Sequence, residues 1–321
     1  MGKLKKTFIA VMALSFVMGI SSYAGEAPRI IYDPSVTGES SSQTHTEKGF
    51  IDEAGLQLIN DAQKRQVEAN SLDALMNMDV NMNMNLRDSA TGEAQDMAFG
   101  IGLDLAMKMK DIESPQTMKY IMDMKMTMPG IIDEPLDMKM FYADGWLYSD
   151  TSGVKTKQYM DPAIYGDMQM TDSMQQILNS STYNTDFFKS LTVTSHNTDN
   201  PDGNTVLSYT MDGREIMKYV NEIYAAIGFD MSELGFDMNI SDIKGDITVN
   251  SAGYITRDTM DMTINISGNS QGIENNMAVV VKADVTYNNP GSPVDFNLPS
   301  TEGYEEIIGG ADGLAEGLSL Q

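Results

Sequence analysis

Cysteine is absent from the 321-residue chain, and histidine, tryptophan and basic residues are scarce. Without cysteine the chain has no disulfide, no zinc–thiolate site, no iron–sulfur cluster and no thiol nucleophile. Its two histidines leave little for acid–base catalysis or for a histidine-based metal site. The 21 Lys and Arg residues face 46 Asp and Glu, a formal net charge of −25. We therefore expect no nucleic-acid partner, because binding to phosphates needs clustered positive charge.

Catalytic signatures are missing as well. No Gly-x-Ser-x-Gly, phosphate-binding glycine loop or Gly-x-Gly-x-x-Gly motif occurs. The segment 199–203 is better explained as a Pro-Asp-Gly turn than as a calcium loop, since the bidentate glutamate is not at the required spacing. His196 lies in a polar stretch typical of a solvated loop. These features predict that the protein is not an enzyme, with no catalytic residue, no metal and no cofactor.

The N-terminus has the three parts of a secretory signal peptide. Lys3, Lys5 and Lys6 supply positive charge, an apolar run follows, and Ser22-Tyr23-Ala24 provides small residues for cleavage after Ala24. Residues 1–24 therefore predict export to the cell envelope or the exterior of a bacterium, although a retained anchor stays open. Residues 25–48 are rich in serine and threonine and predict a linker.

Long runs in which apolar and polar residues alternate are the strongest signal. In the first run, apolar positions from Met76 to Leu86 alternate with asparagine and aspartate, and later runs repeat the pattern over 99–109, 118–128 and 136–142. Successive side chains of a strand point to opposite faces, so each run predicts a strand with one apolar and one hydrated face. Together they predict an antiparallel sheet covered on a single side.

The remaining pattern predicts helices and more strands. One helix begins after Phe50, a short one near Thr171, and a third over 213–227, with Asp212 as its cap and Glu215 completing a capping box. Further strands are predicted at 191–193, 206–209, 236–240, 247–249, 260–266 and 277–287. Nine to eleven strands and three helices predict an α+β fold, a curled antiparallel sheet (a half-open β-barrel) with helices plugging its concave face. This domain is expected over 49–300, followed by a flexible acidic, glycine-rich tail over 301–321.

Three segments carry a family resemblance: the ADGWLY hairpin (143–148), the YTMDGREI segment (209–216) and the closing DFNLP (295–299). Their order among the helices and strands resembles the LolA/LppX-like superfamily of bacterial envelope lipoprotein and lipid carriers, in a secreted, methionine-rich branch. The resemblance implies a LolA-like half-open barrel whose concave face holds lipids or acyl chains. Many members carry a lipid on a cysteine that this chain lacks.

The methionines leave three interpretations open. They can be the closed core of a structural or interaction module, since methionine is apolar. They can line a pocket for a varied apolar ligand, because methionine is flexible and polarizable. They can also capture Cu(I) or Ag(I) through thioethers, although the Met-x-Met spacing is what any one-faced methionine strand shows.

The second interpretation, with the resemblance, predicts a non-catalytic carrier or sensor of a lipid or other apolar small molecule. Peripheral membrane contact and an envelope protein partner fit this function. The predicted ligand-binding residues are Met82, Met84, Met107, Met109, Met122, Met124, Met126, Met138 and Met140, with Tyr142, Trp146 and Tyr148 as aromatic residues at the rim.

Overall fold

The fold is that of a computed structural model. It describes residues 49–88, 90–112, 114, 116–160, 187–195, 203–226, 236–270 and 273–307. The expected signal peptide, the linker, the short helix near Thr171 and His196 lie outside these residues.

Two helices and thirteen strands make up the described part of the chain. The helices are α1 (Glu53–Val67) and α2 (Gly213–Ala226). The strands are β1 (Ser71–Asp88), β2 (Ala94–Lys110), β3 (Lys119–Thr127), β4 (Leu136–Ala143), β5 (Trp146–Thr151), β6 (Val154–Tyr159), β7 (Phe188–Ser195), β8 (Thr205–Met211), β9 (Phe236–Ile240), β10 (Ile243–Val249), β11 (Ile255–Ser270), β12 (Ile273–Tyr287) and β13 (Glu305–Glu306).

All the strands belong to one sheet. Their order is β13-β6-β5-β4-β3-β2-β1-β12-β11-β10-β8-β7, and β9 lies outside this order and pairs with β11. Every pairing is antiparallel except that of β13 with β6. The sheet is curled and does not close on itself. The predicted fold class, an α+β half-open barrel, is confirmed.

Register places the alternating residues on two distinct faces. Met78 of β1 lies opposite Leu103 of β2 and Ala283 of β12, and the pairing continues without a shift along these strands. We call the face that carries these side chains and receives both helices the inner face. Asp79, the next residue of β1, lies opposite Lys282 on the other face, which we call the outer face.

The first buried cluster lies on the inner face beneath the two helices. Ile59 and Ala62 of α1 and Ile216 of α2 belong to it. A side chain at Gly55 would touch Leu207 and Val193, so α1 approaches β7 and β8 closely at this point. The strands contribute Met78, Val80, Met82, Ile101, Leu103, Leu191, Ile243, Ile247, Val249, Met262, Ile264, Val279 and Val281.

Asp212 caps α2, as predicted, but without the capping box. Its Oδ1 accepts a hydrogen bond from the Arg214 backbone N–H at 2.9 Å. The backbone N–H of Asp212, which the box would have paired with Glu215, instead donates to the Phe187 carbonyl at 2.7 Å. A tertiary hydrogen bond has replaced the local one, and it joins the start of α2 to the start of β7.

A second buried cluster forms where β1 to β5 begin or end. Met109, Met118 and Tyr142 are its buried members, and Leu72, Met107, Ile112, Tyr120, Leu147 and Met160 pack against it. It holds together the part of the sheet that neither described helix covers.

The chain after β12 returns across the outer face. Lys110 forms an ion pair with Asp295 at 3.0 Å and lies over the Phe296 ring at 4.9 Å. Tyr304 then packs on Phe141, and Glu305–Glu306 pairs with β6. Residues 304–307, which belong to the tail that the sequence predicted to be flexible, therefore contact the sheet.

The strand count exceeds the prediction because β6 and β13 have no apolar alternation. β6 is rich in lysine and β13 is a pair of glutamates. Charged side chains are common near sheet edges, where they discourage pairing with other chains. Such strands are defined by backbone pairing and give no periodic signal.

Substituting Gly245 is expected to destabilise the fold. A Cβ here would lie 2.7 Å from Cζ of Tyr209 and against the Thr259 carbonyl, neither of which can retreat easily. Gly245→Ala should lower the free energy of unfolding by roughly 1–3 kcal/mol, measured by denaturant titration. Gly100→Ala on β2 is the matched control, since its Cβ would lie 3.3 Å from the Asn81 side-chain oxygen and 3.9 Å from the Val80 carbonyl. Equal effects of the two substitutions would contradict the packing described for Tyr209.

Asp212 should make stability depend on acid pH. Although burial alone would raise it, the pKa of Asp212 is lowered by hydrogen bonds from Arg214 and by the charges of Lys189 and Arg214. A lowered folded pKa means that the stabilisation is present above the unfolded value near 3.9 and is lost as the pH falls through the folded value. Asp212→Asn keeps the cap, so it should cost about 1 kcal/mol at pH 7 and progressively less as the medium becomes strongly acidic. Denaturant titrations at several pH values test this, and a pH-independent difference would contradict it.

Candidate functional site

A half-exposed apolar band separates the two buried clusters on the inner face. Its members belong to β1 through β4 and are neither fully buried nor fully exposed. We call them the methionine band: Met76, Leu105, Met107, Met122, Met124, Met138 and Met140.

Strand pairing arranges the band in two rows that cross the sheet. In the first row, Met138 lies opposite Met124, Met124 opposite Leu105, and Leu105 opposite Met76. In the second, Met140 lies opposite Met122 and Met122 opposite Met107. Directly opposed side chains have Cβ atoms about 4.5–5.5 Å apart, so the thioethers form a continuous surface.

Four other predicted binding methionines lie on the same face beside the band. Met82 and Met109 are 2% and 3% exposed. Met84 and Met126 are partly buried against the first cluster, as are Met76 and Met124 of the band, and Met107 packs against the second cluster. Burial on this scale makes the side chains of Met82 and Met109 part of the core.

Of the three predicted rim aromatics, only Tyr142 shares the inner face with the methionines. It lies opposite Tyr120 and stacks on that ring at 5.8 Å. It is 1% exposed, so it closes the end of the second cluster.

Trp146 and Tyr148 lie on the outer face, which corrects the expectation that they frame the methionines. The two-residue turn at Asp144-Gly145 has positive φ at both residues and pairs Ala143 with Trp146. This register puts Trp146 on the opposite face from Tyr142, and Tyr148 follows two residues later on the same side.

These outer-face aromatics form a cluster with the C-terminal segment. The rings of Phe141 and Tyr148 stack at 4.4 Å, and Tyr304 meets both edge-on. Burial, with the nearby charge of Asp150, raises the pKa of Tyr304. The cluster explains why Phe141 is buried on an otherwise hydrated face.

The first row continues past β1 onto β12 and β11, where it ends at a carboxylate. Met76 lies opposite Val285, and Val285 lies opposite Asp258 of β11. The Tyr209 hydroxyl is 3.0 Å from the Thr259 carbonyl and 3.5 Å from Asp258 Oδ1. Burial raises the pKa of Tyr209 and of Tyr287, and the charge of Asp258 adds to the rise at both.

Sequence reasoning overlooked Asp258, although a signal was available. Residues 260, 262, 264 and 266 are the apolar positions of their strand, and Asp258 occupies the same alternate position. An acid at an apolar position indicates either a strand end or a polar group on the covered face. The pairing of Asp258 with Ile247 and Val285 shows the latter.

Among the described residues, two cavities are lined in part by β1 and β2. One of about 490 Å³ is found at the ends of β1, β2, β11 and β12, and Met84, Asp96 and Asn276 are among its lining residues. The other, of about 290 Å³, lies around Leu75 and Lys125 of the outer face and is bordered by Met124 and Met138.

The described residues contain no group of three or more His, Asp or Glu that could hold a metal ion. Among the same residues, no helix is both long and apolar enough to cross a membrane.

A family model described as a family of unknown function, DUF6612, matches residues 56–292. The chain belongs to the DUF6612 family. The matched range runs from within α1 to just beyond β12, so it contains the whole methionine band and Asp258. A search of curated proteins finds no match to this DUF6612 chain.

Among solved structures, the DUF6612 chain is similar to LprF from Mycobacterium bovis, at 14% identity and a TM-score of 0.39, over 78% of this chain and 100% of that one. It is also similar to the ywiB protein from Bacillus subtilis, at 8% identity and a TM-score of 0.14, over 65% and 92% of the two chains. At these scores, the fold of the DUF6612 chain rests on its own strand pairing.

Brief peroxide treatment should distinguish the band from the core. Met122, Met124 and Met138 are half-exposed, whereas Met78 and Met262 are 2% and 1% exposed. We expect the methionines of the first group to be oxidised to the sulfoxide several-fold faster, because the oxidation rate of a thioether increases with its solvent exposure. Peptide mass spectrometry measures the rates within one sample, so the buried methionines serve as internal controls. Equal rates in both groups would show that the band is closed.

Proposed function

We propose that this DUF6612 protein is an exported, non-catalytic carrier or sensor that binds the hydrocarbon chain of a lipid or similar apolar ligand on the methionine band. The supporting observation is that the band stays half-exposed between two buried clusters. A contiguous apolar surface left accessible to solvent is typical of a binding site.

Methionine suits such a surface better than leucine or isoleucine. Its unbranched, polarizable side chain adapts to ligands of differing shape. Four of the seven band positions are methionines on β3 and β4, and neither described helix contributes a residue to the second cluster, which borders these strands. A methionine surface should therefore accept hydrocarbon chains of different kinds rather than select one shape.

Energetics favour a long chain as the ligand. Each buried methylene contributes about 0.8 kcal/mol, so ten contribute on the order of 8 kcal/mol. Association costs roughly 4–15 kcal/mol, which a short apolar molecule cannot offset. We therefore assign the band to ligands with chains of about ten carbons or more.

The sequence supports the export step. Lys3, Lys5 and Lys6, the apolar run and Ala24 form the pattern of a signal peptide. A carrier outside the cytoplasm would exchange its ligand with a membrane surface or with an envelope protein.

A second candidate function, binding of Cu(I) or Ag(I), is favoured by the cross-strand pairs. Met107, Met122 and Met140 stand in one row, and Met124 opposes Met138. Thioethers on neighbouring strands are suitable ligands for soft monovalent metals.

Replacing two band residues should abolish ligand retention. Met107→Lys combined with Met124→Lys places two ammonium groups where the chain would lie, and an unpaired charge there strongly disfavours an apolar ligand. Native mass spectrometry of protein purified without detergent should show adducts of lipid mass in the unaltered protein and none in the variant. Secretion should persist in both.

The matched control is Ala106→Lys combined with Thr127→Lys. These residues lie on the outer face of the same two strands and make the same change in charge. The control should keep its adducts, and loss in both variants would refute the assignment to the inner face. Copper-mass increments would favour the thioether function, and a bare chain that also takes up no added long-chain lipid would favour a closed-core interaction module.

A further inference from the structure

Both rows of the methionine band continue beyond β4 onto β5 and β6. The first row passes from β4 to Thr151 of β5 and then to Val154 of β6. The second row passes from β4 to Ser149 and then to Thr156. On the inner face β5 and β6 carry no charged side chain, because Asp150 and the two lysines of β6 lie on the outer face. Short, uncharged side chains therefore connect the band to β6.

Strand β6 carries two of the five large apolar side chains that are exposed in the described part of the chain. Val154 is 67% exposed on the inner face, and Tyr159 is 53% exposed on the outer face. Tyr159 meets the Trp146 ring of β5 edge-on, with the ring centres 5.2 Å apart. Tryptophan and tyrosine are enriched at the interface between membrane and water, where the ring contacts apolar groups and its polar end meets water.

Two lysines lie beside these aromatic rings. Lys157 Nζ is 4.9 Å from the centre of the Trp146 ring, and Lys155 Nζ is 5.5 Å from the centre of the Tyr304 ring. Neither lysine forms an ion pair with a carboxylate among the described residues. Their ammonium groups therefore remain available to an anion outside the chain.

Charge distinguishes β6 from the rest of this acidic protein. The strand has two lysines and no acid, whereas the chain has a formal net charge of −25. In the strand pairing, Asp150 lies opposite Lys155 and Glu306 of β13 lies opposite Lys157. Charges more than about 8 Å away are largely screened at physiological ionic strength, so the remote acids have little effect on a surface that touches β6. Lysines at such a contact are attracted to anionic phospholipid.

We propose that the β5–β6 edge of the sheet docks on an anionic phospholipid membrane, and that the ligand enters and leaves the methionine band at this edge. Val154 and Tyr159 enter the boundary between the head groups and the acyl chains, and Lys155 and Lys157 bind lipid phosphates. This inference rests on the proposed function, because it assigns the surface at which the same ligand is exchanged.

Co-sedimentation with vesicles of about 70% phosphatidylcholine and about 30% phosphatidylglycerol, an anionic surface, tests the docking edge. The unaltered protein should bind these vesicles. Lys155→Glu combined with Lys157→Glu should weaken binding by roughly 25-fold, since each lysine near such a surface contributes about fivefold in affinity. Val154→Ser combined with Tyr159→Ser should weaken binding several-fold, because the strength of interfacial binding scales with the apolar area that is buried.

The matched control is Lys64→Glu combined with Lys218→Glu. It makes the same change in charge at exposed lysines of α1 and α2, which contact β7, β9, β10 and β11 rather than β6. Because screening removes the effect of distant charges, the control should bind the vesicles within about twofold of the unaltered protein. All the variants share one N-terminus, so any affinity of that segment for vesicles is common to them.

No binding by the unaltered protein, or equal binding by the edge variants and the control, would overturn the docking edge. Native mass spectrometry of the same samples with added long-chain lipid distinguishes this failure from failure of the proposed function. The edge variants change no band residue, so they should keep lipid adducts. Absence of adducts from the unaltered protein would count against the proposed function itself.

Discussion

In-register pairing of long strands is the constraint on which this structure depends. β1 pairs with β12 from Ala74 to Asp88 and with β2 from Ser71 to Arg87, without a shift. A slip of one residue would turn Met78, Val80 and Met82 onto the hydrated face and Asp79 onto the apolar one. The cost of that exchange holds the register, and the register gathers the alternating apolar positions of β1, β2 and β12 onto one continuous face.

That continuous face is wider than the two helices can cover. α1 and α2 bury the aliphatic part near β7 to β12, where Ile247 and Val279 are fully buried. Over the methionine band the same face is mostly methionine and stays partly exposed. The packing against the helices therefore lies toward one side of the sheet, and the surface that we propose to bind a ligand lies toward the other.

Much of the fold could be predicted from the sequence, and the exceptions have physical causes. Alternation over 76–86 is a local property of the chain, so the strands and their apolar faces follow from it directly. The outer-face position of Trp146 depends on the geometry of a two-residue turn, and the burial of Phe141 depends on Tyr304, which is distant in sequence. The position of Asp258 on the inner face depends on the pairing of β11 with β10 and β12, and the pairing of β8 with β10 brings Tyr209 to it.

The sequence by itself determined the strand and helix types, the α+β class and the identity of the apolar face, because all of these are set by the spacing of neighbouring residues. Only the tertiary structure decided which methionines are core and which remain half-exposed. That decision depends on where α1 and α2 lie on the sheet, a matter of contacts such as that of Gly55 with Leu207. Burial is a property of the packed sheet as a whole, and no local pattern of residues encodes it.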